Sequence, residues 1–302
     1  MGIEIPFLKY RKIYFIFSGI LILAFLICLI LFGFKLGIDF TGGSILEIEY
    51  KTERPSNPEI REALSNLDLG EISIQPTEEK GVILKMKDIS EDVHQQIIQK
   101  LMGNSELEEK RFESIGPVIG RELKEKTKVV IALALLSIVF YIALAFKKVS
   151  RPVSSWQYAL SSLACLSHDI LIPLGVLSLL GKFYNVQITI PVICALLTVV
   201  GYAINNVVVV YDRIRENLLT APHHGFFGGF ERVADISINQ TLTRQINTSL
   251  TTLFPLLAIF FLGGETLKYF ALTLILGITA GTYSSIFLAS PILVSWLKWR
   301  KG

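Results

Sequence analysis

The residues whose types could do chemistry lie in apolar surroundings. Two adjacent amides, Asn205 and Asn206, fall inside the run GYAINNVVVV. An arginine, Arg244, stands in INQTLTRQINTSLTT among Asn239, Gln240, Thr243, Asn247, Thr248 and Thr251. A histidine and an aspartate, His168 and Asp169, occupy the middle of a third apolar run. A charge at the centre of a bilayer costs about 2.5–3.5 kcal/mol on insertion scales, so each such group needs a partner or a task. His168 and Asp169 can both titrate. An amide can hydrogen-bond across helices, worth about 0.6–2 kcal/mol, yet it neither takes up nor releases a proton. A guanidinium keeps its charge and seeks a carboxylate or several carbonyls. These types suit the holding and moving of charge. Nothing in the apolar runs suits bond cleavage: there is no H-E-x-x-H pattern and no serine dyad.

Each group admits two readings. His168–Asp169 is a pair satisfied by neighbouring helices, or part of a proton or ion path. Arg244 snorkels to headgroups, or belongs to a polar helix–helix seam with Gln240 and Asn247; counted in from its end of the membrane it lies at a depth similar to Asn206. Asp39, in GIDFTGGS, is a turn or cap residue or a functional group, and Gly42 and Gly43 permit a tight turn there.

The elements that would position these groups follow from the hydropathy pattern. The chain has 302 residues, 51% of them hydrophobic, with a mean hydropathy of +0.53 and only 18% Asp, Glu, Lys or Arg. That balance excludes an ordinary soluble domain and points to the membrane class. A helical span needs roughly 20 apolar residues. Six stretches qualify, at about 13–34, 129–146, 158–180, 190–211, 247–263 and 269–296. The second is short, and the fifth contains Pro255. The first is too long for a secretory signal and reads as an uncleaved anchor. Basic residues set the orientation. Lys9, Arg11 and Lys12, then Lys147, Lys148 and Arg151, then Arg213, Arg215 and Arg232, and finally Lys298, Arg300 and Lys301 all fall on one side if the spans alternate. The opposite short loops hold Lys182 and Lys268. Both termini are then cytoplasmic. Cys28, Cys165 and Cys194 read as small buried hydrophobes, and no metal site is expected.

The expected domains are a cytoplasmic N-terminus and first helix over 1–34, an extracytoplasmic domain over 35–128, a five-helix bundle over 129–296 and a cytoplasmic tail over 297–302. In the outer domain, GGSILEIEYKT alternates with Leu46, Ile48 and Tyr50 on one face. NPEIREALSNL opens a helix with Asn57 as N-cap and Pro58 at its first position. EISIQP and GVILKMK alternate again, a helix starts at Ser90, and EEKRFESIG is a last strand. The β-α-β-β-α-β order is ferredoxin-like, a fold that names no function. His94 reads as a solvated side chain on an exposed helix.

Small residues in the last span, Gly277, Ala280, Gly281 and Ser284, and Gly175 in the third, allow close helix approach. The charged segment 212–243 reads as a cytoplasmic amphipathic helix lying against the membrane. His223 and His224 in its loop are poor evidence of a metal.

Taken together, GIDFTGG, ESIGPVIGREL, HD, GYAINNVVVVYDRIREN, INQTLTRQINTSLTT and GTYSSIFLASPILV resemble the SecF family of bacterial protein-export subunits, over nearly the whole chain and in the family's order. The resemblance implies a bundle related to the resistance–nodulation–division exporters, and no cofactor. It implies SecD, the SecYEG channel, the translocating preprotein and membrane lipid as partners, with no nucleic acid, in the bacterial cytoplasmic membrane. It further implies that the protein is no enzyme and helps preproteins across by using the proton-motive force. The family arginine of the fifth span falls on Arg244. The family aspartate of the fourth falls on Asn206, where this chain lacks a carboxylate. Three explanations stay open: coupling through Asp169 or a carboxylate on SecD, a passive or differently coupled subunit, or an amide that imitates a protonated aspartate. A passive assembly subunit and half of a small-molecule or lipid exporter remain as alternatives.

Overall fold

A computed structural model describes residues 5–77, 79–103, 106–145, 153–220 and 229–301. The chain divides into two compact units, one formed by Met1–Lys35 with Ile131–Gly302 and the other by Leu36–Val130.

The smaller unit is built on a four-stranded antiparallel sheet. Its elements are α2 (Ile38–Thr41), β1 (Gly43–Tyr50), α3 (Asn57–Leu64), β2 (Ser73–Thr77), β3 (Gly81–Met86), α4 (Glu91–Met102) and β4 (Leu107–Ile115), and α1 (Arg11–Phe32) precedes them in the larger unit. The strand order is β2-β3-β1-β4. Period-two alternation turns Leu46, Ile48 and Tyr50 of β1 and Val82 and Leu84 of β3 inward, where they pack with Ile60 of α3 and Ile97 of α4 among others. Leu46 faces Leu84 on one side and Phe112 on the other, and the register with β4 shifts by a bulge between Glu47 and Ile48. The N-cap of α3 is Ser56, not Asn57. Ser56 Oγ accepts from Glu59 N and Glu59 Oε2 accepts from Ser56 N, a reciprocal capping box. Asn57 lies one residue inside and accepts from Arg54 Nη1.

His94 is buried, contrary to the solvated reading. Its ring stacks on Phe112 at 3.8 Å, with Glu91 Oε1 3.1 Å from Nδ1 and Glu109 Oε2 3.2 Å from Nε2. Nδ1 is hydrogen-bonded to Glu91, whereas Nε2 has no hydrogen-bond partner among the described residues, and the ring face is covered by Phe112.

The turn carrying Asp39, Gly42 and Gly43 is tight. Gly42 and Gly43 have φ of +76° and +133°, and a Cβ on Gly42 would lie 2.7 Å from Pro117 Cα. Asp39 is half-buried in the first turn of α2. Here α5 (Pro117–Ala145) begins, and a Cβ on Gly120 would lie 2.8 Å from Gly42 N.

The larger unit is helical: α1, then the inner part of α5, then α6 (Ser155–Tyr184), α7 (Ile190–Thr220), α8 (Gly229–Leu262), α9 (Glu265–Ser284), a π-helical turn Ser285–Ala289 and α10 (Ser290–Lys301). Among the described residues, five stretches are long and apolar enough to cross a membrane: Phe7–Phe32, Ser155–Tyr184, Ile190–Leu219, Gly229–Leu262 and Leu267–Trp299. The expected second span, 129–146, coincides with the end of α5, and residue 146 lies outside the described residues, as do Lys147, Lys148, Arg151, His223 and His224. Close approaches hold the bundle. A Cβ on Gly175 would lie 2.3 Å from Phe25, and one on Gly277 would lie 2.2 Å from Val199.

Segment 212–243 departs from the surface-helix expectation. Its described residues are the ends of α7 and α8, and Ile214, Phe230, Ala234 and Ile238 join the bundle core. The amphipathic stripe thus packs on helices and not on lipid. Cys165 is buried as expected, whereas Cys194 is exposed.

Replacing Gly120 by Ala is expected to lower stability by about 1–3 kcal/mol, while Gly116→Ala, with open space around its Cβ position, leaves it unchanged; thermal unfolding in detergent separates the two. Hydrogen bonds from Gln95 and His94 hold the Glu91 carboxyl below its ordinary range. A lowered folded value stabilises above the unfolded value of about 4.3 and is lost as pH falls through the folded one. Protection of the α4 amides, read by hydrogen exchange, should therefore drop in acid less steeply in Glu91→Gln.

Candidate functional site

A line of buried polar contacts runs through the larger unit. On α8, Ser237, Thr241, Gln245 and Ser249 recur every four residues and are all buried, which places them on one stripe. Ser249 Oγ lies 2.6 Å from Thr282 Oγ1 of α9 and accepts from Tyr202 Oη of α7. Gln245 Nε2 donates to Thr241 Oγ1, and Gln245 Oε1 accepts a short hydrogen bond from Ser285 Oγ. Ser237 Oγ accepts from Asn217 Nδ2 at 2.8 Å.

Asp169 is fully enclosed. Its Oδ1 lies 2.9 Å from His168 Nδ1, and its Oδ2 accepts from Ser284 Oγ at 2.7 Å. A Cβ on Gly281 would lie 3.2 Å from Ala203 and 3.5 Å from Asp169 Oδ2, so α6, α7 and α9 converge on this carboxylate. The His168 ring stacks on Tyr283 at 5.8 Å, and Tyr283 Oη lies 3.1 Å from Ser18 Oγ of α1. Ser161 of α6 pairs with Tyr211 Oη at 2.6 Å, and that hydroxyl also donates to the carbonyl of Ala289. Buried hydroxyls around a carboxylate act as charge-assisted donors, about twice as strong as neutral pairs.

Asn206 and Arg244 are not brought together. Asn206 is buried, and its Nδ2 has no partner among the described residues. Arg244 is exposed. The reason is rotational phase. Gln245 takes the buried stripe, and one residue is about 100° of helix, so Arg244 lies off that stripe and is exposed. By the same step Asn205 is exposed beside the buried Asn206. Asn247 is exposed too. Gln240 is exposed but engaged, its Oε1 accepting from Arg213 Nε and Asn217 Nδ2. Of the residues expected in an α7–α8 seam, Gln240 contacts α7, and the remaining contacts run through Asn217 with Ser237 and Tyr202 with Ser249. Thr248 and Thr251 donate back to carbonyls of α8 itself, which leaves an outer face of Arg244, Asn247, Thr248 and Thr251 within an apolar helix. Asp235 and Glu231 anchor the start of the chain: Asp235 Oδ1 accepts from Leu8 N, and Glu231 pairs with Arg11 and with Lys298.

The sequence presents Ser284 only as a small packing residue and does not single out Ser285, Gln245 or Ser249. The recurrence of polar residues at 237, 241, 245 and 249 was the available signal. The smaller unit holds a shallow polar cavity of about 320 Å³ lined by Glu49, Lys51, Lys80, Glu108 and Lys110 among others, with Lys110 bound to Glu49 and Glu108.

The C-terminal model of the protein export membrane proteins SecD/SecF matches residues 94–299, more than half of the chain, and the SecD/SecF GG motif matches 29–53. The chain belongs to the SecD/SecF family. A protein translocase subunit SecF from Thermobaculum terrenum is 40% identical over 97% of this chain and 94% of its own length. Another, from Sebaldella termitidis, is 37% identical over 99% of this chain and 94% of its own. A crystal structure of SecDF from Thermus thermophilus, described as a translocon-associated membrane protein, superposes with a TM-score of 0.83 at 31% identity, over 98% of this chain and 39% of that one. SecDF in a super-membrane-facing form gives 0.70 at 31%, over 100% of this chain and 40% of that one. The chain thus spans about two fifths of the SecDF chains and nearly all of the SecF ones. It is a SecF-type, multi-pass membrane subunit of the protein translocase.

The rotational phase of α8 is testable on the chain alone. Gln245→Ala should destabilise it by about 1–3 kcal/mol by emptying a buried position and removing the bond from α8 to Ser285, whereas Arg244→Ala should stay within about 0.5 kcal/mol, both read by thermal unfolding.

Proposed function

We propose that this chain works with SecD beside the SecYEG channel of the bacterial cytoplasmic membrane, helping preproteins across with energy from the proton-motive force. On this reading α5 supplies the sixth span, both termini are cytoplasmic, and the sheet unit is a ferredoxin-like domain facing outward. The strand order β2-β3-β1-β4 supports that assignment of the domain. The outer face of α8 supports a membrane partner: a row holding Arg244, Asn247, Thr248 and Thr251 is poorly suited to lipid and well suited to SecD. The reading assigns the chain no bond-making chemistry and no cofactor.

One observation carries the coupling proposal. Asp169 is an enclosed carboxylate held by a titratable histidine and a serine, in a chain whose fourth span offers an amide at Asn206. Asp169 is therefore the group assigned to bind the proton, and Arg244 the fixed charge that meets SecD. The membrane potential supplies about 2.3 kcal/mol per charge per 100 mV, so a few protons suffice to drive a domain motion.

The test uses inverted membrane vesicles holding a preprotein whose ATP-driven insertion is complete. Completion of transfer should be uncoupler-sensitive in the native complex, and in Asp169→Asn it should be slow and indifferent to the uncoupler. An uncoupler-sensitive Asp169→Asn complex would show that the proton binds elsewhere. Arg244→Ala should lower transfer per complex with the amount of complex unchanged; a fall in complex abundance alone would favour the passive assembly reading, to which the missing carboxylate at Asn206 gives weight.

A further inference from the structure

The last span is interrupted at its middle. Between α9 and α10, residues Ser285–Ala289 form a π-helical turn. Such turns are rare, strain the hydrogen-bond ladder and recur at functional positions. No proline or glycine stands in SIFLA itself, but Pro291 follows it by two residues and leaves the Phe287 carbonyl without its α-helical donor, so the turn has a local cause as well as its surroundings. Three other helices reach this turn. Ser284, the residue before it, donates to Asp169 of α6; Ser285 donates to Gln245 of α8; and Ala289 accepts from Tyr211 of α7.

Both serines also have a second acceptor in reach. Ser284 Oγ lies 2.7 Å from Asp169 Oδ2 and 3.3 Å from the carbonyl of Gly281. Ser285 Oγ meets Gln245 Oε1 and lies 2.9 Å from the carbonyl of Thr282. A hydroxyl has one proton to donate. Each serine can therefore bind a neighbouring helix or its own, and a serine bonded back to its own helix tends to bend it. An ionised Asp169 draws Ser284 outward by a charge-assisted bond; a neutral one pulls about half as strongly.

We propose that the π turn with Ser284 and Ser285 is a two-position element that carries the protonation state of Asp169 to α8. When Asp169 takes up a proton, Ser284 turns to the Gly281 carbonyl. The turn shifts, Ser285 releases or tightens on Gln245, and α8 moves with Arg244 one residue away. Ser284 and Ser285 are positioning residues; Asp169 alone exchanges the proton. The groups that face Asp169 are His168 and Cys165 from α6 and Ser284 from α9, with Tyr283 stacked behind His168. From α7 it is met by Ala203, while Tyr211 lies farther along beside Cys165. Among the described residues no lysine or arginine pairs with Asp169, so its carboxyl is met by His168 and the Ser284 hydroxyl. The proposal rests on the assignment of Asp169 as the proton-binding group.

The experiment uses the full chain with SecD in lipid nanodiscs, its three cysteines replaced by alanine. Spin labels stand at two exposed positions, Leu160→Cys on α6 and Ile246→Cys on α8. The label distance is measured at about pH 5.5 and about pH 8.5, on either side of neutrality. Infrared difference spectra on the same samples report the carboxylic acid band of Asp169, assigned by its loss in Asp169→Asn. The native protein should show the band and a distance change of about 1–2 Å, the scale of helix shifts in switching proteins. Asp169→Asn should show one distance at both values. Ser284→Ala should keep the band and lose the distance change, and Ser284→Thr, which restores a hydroxyl, should recover it. If Ser284→Ala fails to assemble, Ser284→Cys, similar in volume and a weak donor, should show a reduced change. A band that titrates while the serine variants move like the native protein overturns the π-turn proposal and leaves Asp169 as the proton site. Absence of any Asp169 band overturns the assignment beneath it.

Discussion

A polar side chain inside hydrocarbon must be enclosed with a partner or face another protein, and this constraint sorts the whole helical unit. The enclosed class is Asp169 with His168 and Ser284, Gln245 with Ser285, Ser249 with Thr282 and Tyr202, and Ser161 with Tyr211. These contacts join α6, α7, α8 and the last span at their middles, where apolar packing alone would leave rotation weakly specified. In lipid there is little hydrophobic drive between helices, so close packing and such hydrogen bonds set the geometry. Gly175 against Phe25 and Gly277 against Val199 supply the packing. The open class is the row on α8 around Arg244, which finds no partner side chain among the described residues.

The same constraint explains Asn206. It is buried, and its Nδ2 has no partner among the described residues. An ionised carboxylate at that enclosed site would need its own counter-charge, and Arg244 lies off the buried stripe. An amide avoids that requirement at the cost of one unsatisfied donor. On the proposed reading the titratable duty falls to a carboxylate that does have its partners, Asp169.

Much of this was legible in the sequence. Alternation in GGSILEIEYKT and GVILKMK gave the strands and their inward faces, and the apolar run lengths gave the helices. The presence of polar groups in the spans was legible too. Their rotational phase was not, because 244 and 245 are both polar and only the period-four series 237, 241, 245, 249 tells which faces in. His94 misled because it stands on a helix that reads as exposed, whereas its ring is covered by Phe112 of β4, a neighbour distant in sequence. The charged segment 212–243 misled because an amphipathic stripe looks alike whether it covers helices or lipid. The π turn has no composition signature within SIFLA; the signal lies just beyond it, in Pro291, and the contacts of Asp169, Gln245 and Tyr211 with this stretch are not legible from sequence.

The most direct test of this sorting is a cysteine cross-linking scan along α8 in the native membrane complex, positions 244 to 251 taken one at a time against SecD. The account predicts cross-links at Asn247, Thr248 and Thr251 and none at Gln245 or Ser249. Equal labelling of all five by a lipid-soluble probe, with no cross-link to SecD, would contradict it.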